Sequence, residues 1–181
     1  SVAVDLKTAG GAVVLRRLIA RADALVTNIR PAALERLGFG YEACKALNPK
    51  IIYAAATGFG QDGPWAKRPA FDEIVQAASG LASSIGTDDE PAFVPSLVGD
   101  KLCGLALAGA VAAALVYRER TGKGQLVEVP MLETVAAFNS IEMLGGHAFV
   151  PPIGPAGYKR VKERKPVKTR DGWLTMLPYS G

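Results

Sequence analysis

Histidine is almost missing from this sequence: in 181 residues only His147 is present. Any Ser-His-Asp arrangement would have to run through that one residue, which sits in a Gly/Pro-rich stretch with no partner pattern beside it, and it is read as a bystander. Cysteine is nearly as scarce. Cys44 and Cys103 fall in helical patterns with no His or Cys nearby. That excludes a disulfide framework and a Cys-rich zinc site, and it fits a reducing cytoplasm. Both are expected as small core residues. Carboxylates are scattered without metal-ligand spacing, so no metal is expected. A long uncharged apolar run is lacking too. The longest, Leu102–Tyr117, is rich in alanine and stops at Arg118-Glu119-Arg120. It is too short to read as a membrane span, so a buried helix and no membrane partner are expected. No basic, apolar leader is visible, and the sequence opens at Ser1 inside a strand-like segment. It is read as a piece of a longer chain, cut at both ends.

An excess of positive charge is present, but in one place. The formal net charge is +4. Seven basic residues and one acid between Lys159 and Arg170 give that stretch +6 and leave the remainder at −2. With Tyr158 as its only aromatic neighbour and no nucleic-acid motif, the run reads as a solvated linker, and no nucleic-acid partner is expected.

Strand and helix signals alternate in the first half. Val2–Leu6 alternates like a strand, and Ala9–Arg21 carries Val13, Val14, Leu18 and Ile19 at helical spacing. Ala24–Thr27 is a short apolar strand. Pro31 opens a helix over Ala32–Leu37 that Gly38 closes, and Tyr41–Leu47 is stopped by Asn48-Pro49. Ile51–Ala56 is the continuous apolar run of a buried parallel strand. Helices are expected over Asp72–Ser84, Gly99–Arg120 and Leu132–Leu144, with a strand at Gln125–Val129. This order predicts an α/β fold with a Rossmann-like parallel sheet flanked by helices. The expected domains are a large domain over 1–145, a Gly/Pro-rich and basic linker over 146–170, and the start of a small domain over 171–181. There Asp171-Gly172 turns into a strand at Trp173–Met176.

Three places could carry chemistry. Asp100 follows Gly99 at the start of the longest helix, where free N–H groups favour an ionised carboxylate. An ionised, held carboxylate is what nucleophilic attack on an acyl group needs, although Asp is also an ordinary helix cap. The loop Thr57-Gly58-Phe59-Gly60-Gln61-Asp62-Gly63-Pro64 follows a strand end, where ligands bind in open α/β sheets. Its glycines permit close approach of phosphate or thioester, though they match no dinucleotide or P-loop pattern, and a plain turn fits them equally. Asn28-Ile29-Arg30-Pro31, with Arg36, follows another strand end and suits an anion; Lys7 is similar.

These segments together resemble the class III CoA-transferases, the family also named for carnitine and bile-acid CoA-transferases. The matching strings are Ser1–Lys7, Ala24–Pro31, Leu34–Gly38, Asn48–Tyr53, Gly58–Pro64, Arg68–Asp72, Gly99-Asp100, Arg118–Gln125 and Val127–Val129. The resemblance implies a Rossmann-like large domain, a smaller second domain and an interlocked homodimer. It implies transfer of CoA between carboxylic acids through covalent aspartyl intermediates, with acyl-CoA and a carboxylic acid as substrates. Asp100 takes the position of the catalytic carboxylate. Val4, Asp5, Leu6 and Lys7 match a segment beside the CoA adenine and phosphates, and Asn28, Ile29, Arg30 and Arg36 match a second CoA-contacting segment. Ala70, Phe71 and Asp72 match the segment lining the thioester end. α-Methylacyl-CoA racemases share the fold and the aspartate but carry histidine where this sequence has Phe71, which removes one of two bases and favours the transferase. A racemase-like enzyme and an inactive acyl-CoA-binding homologue are the alternatives. The upstream CoA-holding strand–loop and a covering glycine loop are expected outside this sequence, so the piece alone is expected to be inactive.

Overall fold

Three short segments of four to six residues build the sheet around which the first 138 residues are organised. A computed structural model of the chain describes residues 1–86, 89–153 and 166–175. In it β1 (Ala24–Thr27), β2 (Ile52–Thr57) and β3 (Gln125–Pro130) lie side by side in that order, all parallel. Ala24 is in register with Ile52, and Ile52 with Gln125. The middle strand is covered on both faces, which is why its sequence is apolar throughout rather than alternating.

Alternate residues of the strands serve opposite faces. On one, Leu25, Tyr53 and Ala55 join Ile19, Leu34, Phe39 and Cys44, brought by α1 (Ala9–Ile19), α2 (Pro31–Arg36), α3 (Tyr41–Leu47) and the turn between the last two. On the other, Ala54, Val127 and Val129 pack on Cys103, Leu107, Ala110 and Val111, one stripe of the 24-residue helix α6 (Val98–Thr121). A third cluster, Val75, Leu81 and Val135, links α4 (Asp72–Ala78), α5 (Leu81–Ile85) and α7 (Met131–Phe138), and packs Val98 and Leu102 from the first turns of α6. This is the expected parallel sheet with helices on both faces.

Local chemistry sets the ends. The Thr8 hydroxyl accepts the Gly11 N–H at 3.1 Å and caps α1, and Pro31 opens α2. The Asn48 amide donates to Ile19 O (3.1 Å) and Ala22 O (2.9 Å), tying the end of α3 to the end of α1. Gly122 ends α6 at φ 72°.

Five expectations are corrected. Val2–Leu6 is not a strand: the Asp5 carboxylate accepts the Lys7 N–H and its carbonyl accepts from Thr8, so the segment turns into α1 instead of extending along the sheet. The helix expected over 72–84 is two, because Gly80 at φ 79° breaks it; likewise 132–144 is split at Asn139 between α7 and α8 (Ser140–Leu144). α6 is not buried all round. A three-stranded sheet covers one stripe of it, and Leu105 remains 73% exposed, with Val116 and Tyr117 about half so. Among the described residues it is also the one helix long and apolar enough, by length and composition alone, to cross a membrane. Finally, Pro166–Lys168, expected in the linker, forms β4 and pairs antiparallel with β5 (Trp173–Thr175).

The chain divides into two units, Ser1–Phe138 and Asn139–Gly181. The first holds everything from α1 to α7. The second holds α8, a 3₁₀ turn at Gly145–Ala148 and the β4–β5 hairpin, whose turn is closed by Thr169 N–H donating to Gly172 O. The basic run over 159–165, Met176 and the last residues lie outside the described residues.

Candidate functional site

In a parallel sheet every strand ends at the same edge, so side chains far apart in sequence meet there. At this edge lies a cavity of about 420 Å³. Asn28, Arg30 and Pro31 reach it from the end of β1, Ala56, Thr57, Gly58 and Gln61 from the end of β2, and Met131 from the end of β3. Asp100, Cys103 and Gly104 line it from the first turns of α6, and Ala66, Lys67, Arg68 and Ala70 from the segment ahead of α4.

Asp100 is the third residue of α6, exposed, and its carboxylate accepts no hydrogen bond from the described residues. Its backbone N–H, one of the donors a helix start leaves unmatched, is taken by Asp72 Oδ2 at 3.0 Å. Asp72 is only 3% exposed. Its second oxygen accepts from Gln76 Nε2 at 2.6 Å, while Gln76 Oε1 accepts the Val94 N–H at 2.8 Å. The start of α6 is thus capped from α4, and Asp100 itself has no capping duty. Gly99 eases this approach: a Cβ there would stand 3.2 Å from Asp72 Oδ2, so the carboxylate would have to give way by a few tenths of an ångström. One turn on, the Cys103 thiol donates to Val129 O at 3.3 Å. Burial pushes that thiol up, and the negative charge of Asp100 adds to the shift.

The loop after β2 is fastened rather than open. Glu128 Oε1 accepts from the Thr57 hydroxyl (3.2 Å) and the Gln61 N–H (3.0 Å), and Glu133 Oε1 accepts the Gly60 N–H (2.9 Å). Leu132 N–H donates to Gly58 O at 3.1 Å. Two loop N–H groups that a phosphate would want are therefore held by carboxylates. The cations lie on the other walls. Arg68 rests over the Trp65 ring at 5.3 Å, and Trp65 meets the buried Phe59 edge-on at 5.5 Å. Gly58 carries no side chain because the Ala70 methyl occupies that space.

Of the residues singled out from sequence, Asp100, Asn28, Arg30, Pro31 and Ala70 meet around this cavity, with Thr57, Gly58 and Gln61 of the glycine loop. Ile29 borders a neighbouring depression with Val26 and Leu107. Val4, Asp5, Leu6 and Lys7 do not line the cavity; Leu6 packs on the core beside Ile19 and Phe39. Arg36 ends α2 away from it. Phe71 is 67% exposed at the start of α4 and Asp72 is turned inward, and neither lines the cavity. Lys67, Cys103, Gly104 and Met131 were not found from sequence. Helical spacing i+3 and i+4 from Asp100 points to Cys103 and Gly104, and the strand-end rule points to Met131. Among the described residues no three His, Cys, Asp or Glu side chains group to hold a metal.

Comparison with known proteins gives a consistent result. The family model described as CoA-transferase family III matches residues 1–180. An acetyl-CoA:oxalate CoA-transferase of Acetobacter aceti is 42% identical over 143 residues, covering 76% of this chain and 36% of the relative. A succinate–glutarate CoA-transferase of Agrobacterium fabrum is 36% identical, covering 97% and 45%. Among solved structures, a CAIB/BAIF family protein of Brucella suis superposes with a TM-score of 0.82 at 30% identity, covering 94% of this chain and 46% of that one. The chain therefore spans less than half the length of these proteins.

Proposed function

The chain belongs to CoA-transferase family III, and from that premise we propose that it moves CoA between carboxylic acids with Asp100 as the covalent carboxylate. The observation that carries the reading is the cavity itself: Asp100, free of capping duty, shares it with Asn28, Arg30, Lys67 and Arg68. Three cations and an amide suit the phosphates and pantetheine amides of an acyl-CoA, the substrate that serves also as CoA carrier. The named relatives act on oxalate, succinate and glutarate, so a short acid is the acceptor class we favour.

In this reading the Asp100 carboxylate attacks the donor thioester carbonyl, and the CoA thiolate leaves, giving a mixed anhydride. The thiolate then attacks the aspartyl carbonyl and expels the donor acid, leaving an aspartyl-CoA thioester. The acceptor carboxylate attacks that carbonyl and releases the thiolate again. The thiolate finally captures the acceptor acyl group and frees Asp100. Oxyanion donors have to come from N–H groups other than those of Gly60 and Gln61, which Glu133 and Glu128 already hold. Phe71 offers no proton, which sets the racemase reading behind the transferase one.

The same reading includes a homodimer, interlocked at the relatives' length, to which the uncovered apolar side of α6 lends support. It includes a cytoplasmic setting, supported by two free, buried thiols, and turnover only when segments absent from these 181 residues complete the site. The test is to incubate the longest protein carrying this sequence with a panel of acyl-CoAs, quench with hydroxylamine and examine the Asp100 peptide by mass spectrometry. A hydroxamate on Asp100, absent in Asp100→Ala, is expected with at least one donor. No modification with any donor, despite CoA binding, would overturn the proposal.

A further inference from the structure

The described residues hold two carboxylates at the mouth of the sheet that pair with no cation. Glu128 lies in β3 and Glu133 in the first turn of α7. Between them they accept from the Thr57 hydroxyl, the Gln61 N–H and the Gly60 N–H. The loop they grip has glycine at 58, 60 and 63, so left to itself it would sample many conformations. Its Gly58 and Gln61 form one wall of the cavity, facing the helix that carries Asp100. Gly60 is shaped for the grip: a Cβ there would lie 2.5 Å from Glu133 Oε1.

We infer that Glu128 and Glu133 are positioning residues, whose carboxylates hold the glycine loop in the conformation that receives the acyl-CoA. The inference rests on the proposed transferase reading for the identity of the ligand, though not for the grip itself. They act by accepting hydrogen bonds, not by charge, because their three partners, the Thr57 hydroxyl and the Gly60 and Gln61 N–H groups, are all neutral donors. An amide oxygen can do the same. Alanine cannot, and a loosened loop would have to be ordered each time ligand binds, which weakens binding more than it slows chemistry.

The test compares Glu128→Ala, Glu133→Ala, Glu128→Gln and Glu133→Gln in the longest protein carrying the sequence, with acyl-CoA as substrate and CoASH as binding probe. The alanine variants are expected to raise KM for acyl-CoA about tenfold with kcat within about threefold, and the glutamine variants to stay within about threefold on both. Amide hydrogen exchange at Gly60 and Gln61 should quicken in the alanine variants and not in the glutamine ones. An unchanged KM and exchange in the alanine variants, or glutamine variants as impaired as alanine, would overturn the inference. If the parent binds CoASH without transferring it, the transferase reading fails, and the Kd for CoASH takes the place of KM in deciding this one. A parent that does not bind CoASH overturns both.

Discussion

Replacing Asp72 should disturb Asp100 without touching it. The Asp72 carboxylate is buried and accepts from two donors, the Asp100 N–H at 3.0 Å and Gln76 Nε2 at 2.6 Å. Hydrogen bonds to a charged group are each worth about 1.5–3 kcal/mol. The Asp100 N–H is only partly buried, so water can replace part of its loss. Asp72→Ala is therefore expected to cost about 2–4 kcal/mol of folding stability. Asp72→Asn keeps the shape but adds two N–H donors. Its amide nitrogen must then face one of the two donors, the Asp100 N–H or, unless Gln76 turns over, Gln76 Nε2. Turning over forfeits its 2.8 Å bond from the Val94 N–H. Asparagine should thus be intermediate, at about 1–2 kcal/mol. Urea unfolding read by circular dichroism gives the stabilities, and amide exchange at Asp100 shows whether the first turn of α6 has frayed. Losses below about 0.5 kcal/mol for alanine, with the Asp100 amide still protected, would refute the capping argument.

Gly58→Ala sets a methyl group against the Ala70 side chain and should cost about 1–3 kcal/mol, with weakened CoASH binding; Gly58→Ala combined with Ala70→Gly should regain much of it, as thermal melting and calorimetry can check. Arg68→Ala is expected to weaken CoASH binding about tenfold and to flatten its dependence on salt, and an unaltered salt dependence would remove Arg68 from the phosphate contacts. Tyr53 is held up at about 12 by burial first, then by Cys44 and Glu35, against an ordinary 10.0. Its neutral form belongs to the folded state, so its contribution is complete below pH 10, where the unfolded chain keeps the proton too. That contribution, about 2–3 kcal/mol, is lost as pH climbs to about 12. Tyr53→Phe should flatten the fall in urea midpoint over that window. It should cost little otherwise, since Phe39 O, which accepts the Tyr53 hydroxyl, also accepts the Cys44 thiol. Identical alkaline slopes in the two proteins would count against this account.

The parts of the fold legible in the sequence were those whose signal is local. Ile51–Ala56 reads as a buried parallel strand because both its faces are covered, and Pro31, Gly38 and Asn48-Pro49 mark element ends by their own backbone chemistry. Val2–Leu6 alternates like a strand, but pairing needs a partner, and the Asp5 turn competes successfully. The same limit applies to the site. Asp100 at a helix start reads equally as cap or as chemistry. Only the approach of Asp72, 28 residues away, separates the two jobs. The loop at 57–64 reads as an anion cradle from its glycines, and the partners that fill its N–H groups lie some seventy residues on, in β3 and α7.

The central position of β2 has a consequence for when the cavity can exist. β2 joins β1 across a gap of 28 residues in sequence and β3 across 73, as the pairing of Ala24 with Ile52 and of Ile52 with Gln125 shows. α1, α2 and α3 can meet β1 and β2 early, because their contacts span short loops. Glu128, Met131 and Glu133 arrive only with β3, and until they do the Gly60 and Gln61 N–H groups of the glycine loop lack their acceptors. As the chain emerges from a ribosome, the scaffold can therefore form before the site is complete, and a nascent chain stopped short of Gln125 lacks Met131 from the cavity wall and both carboxylates that hold the loop.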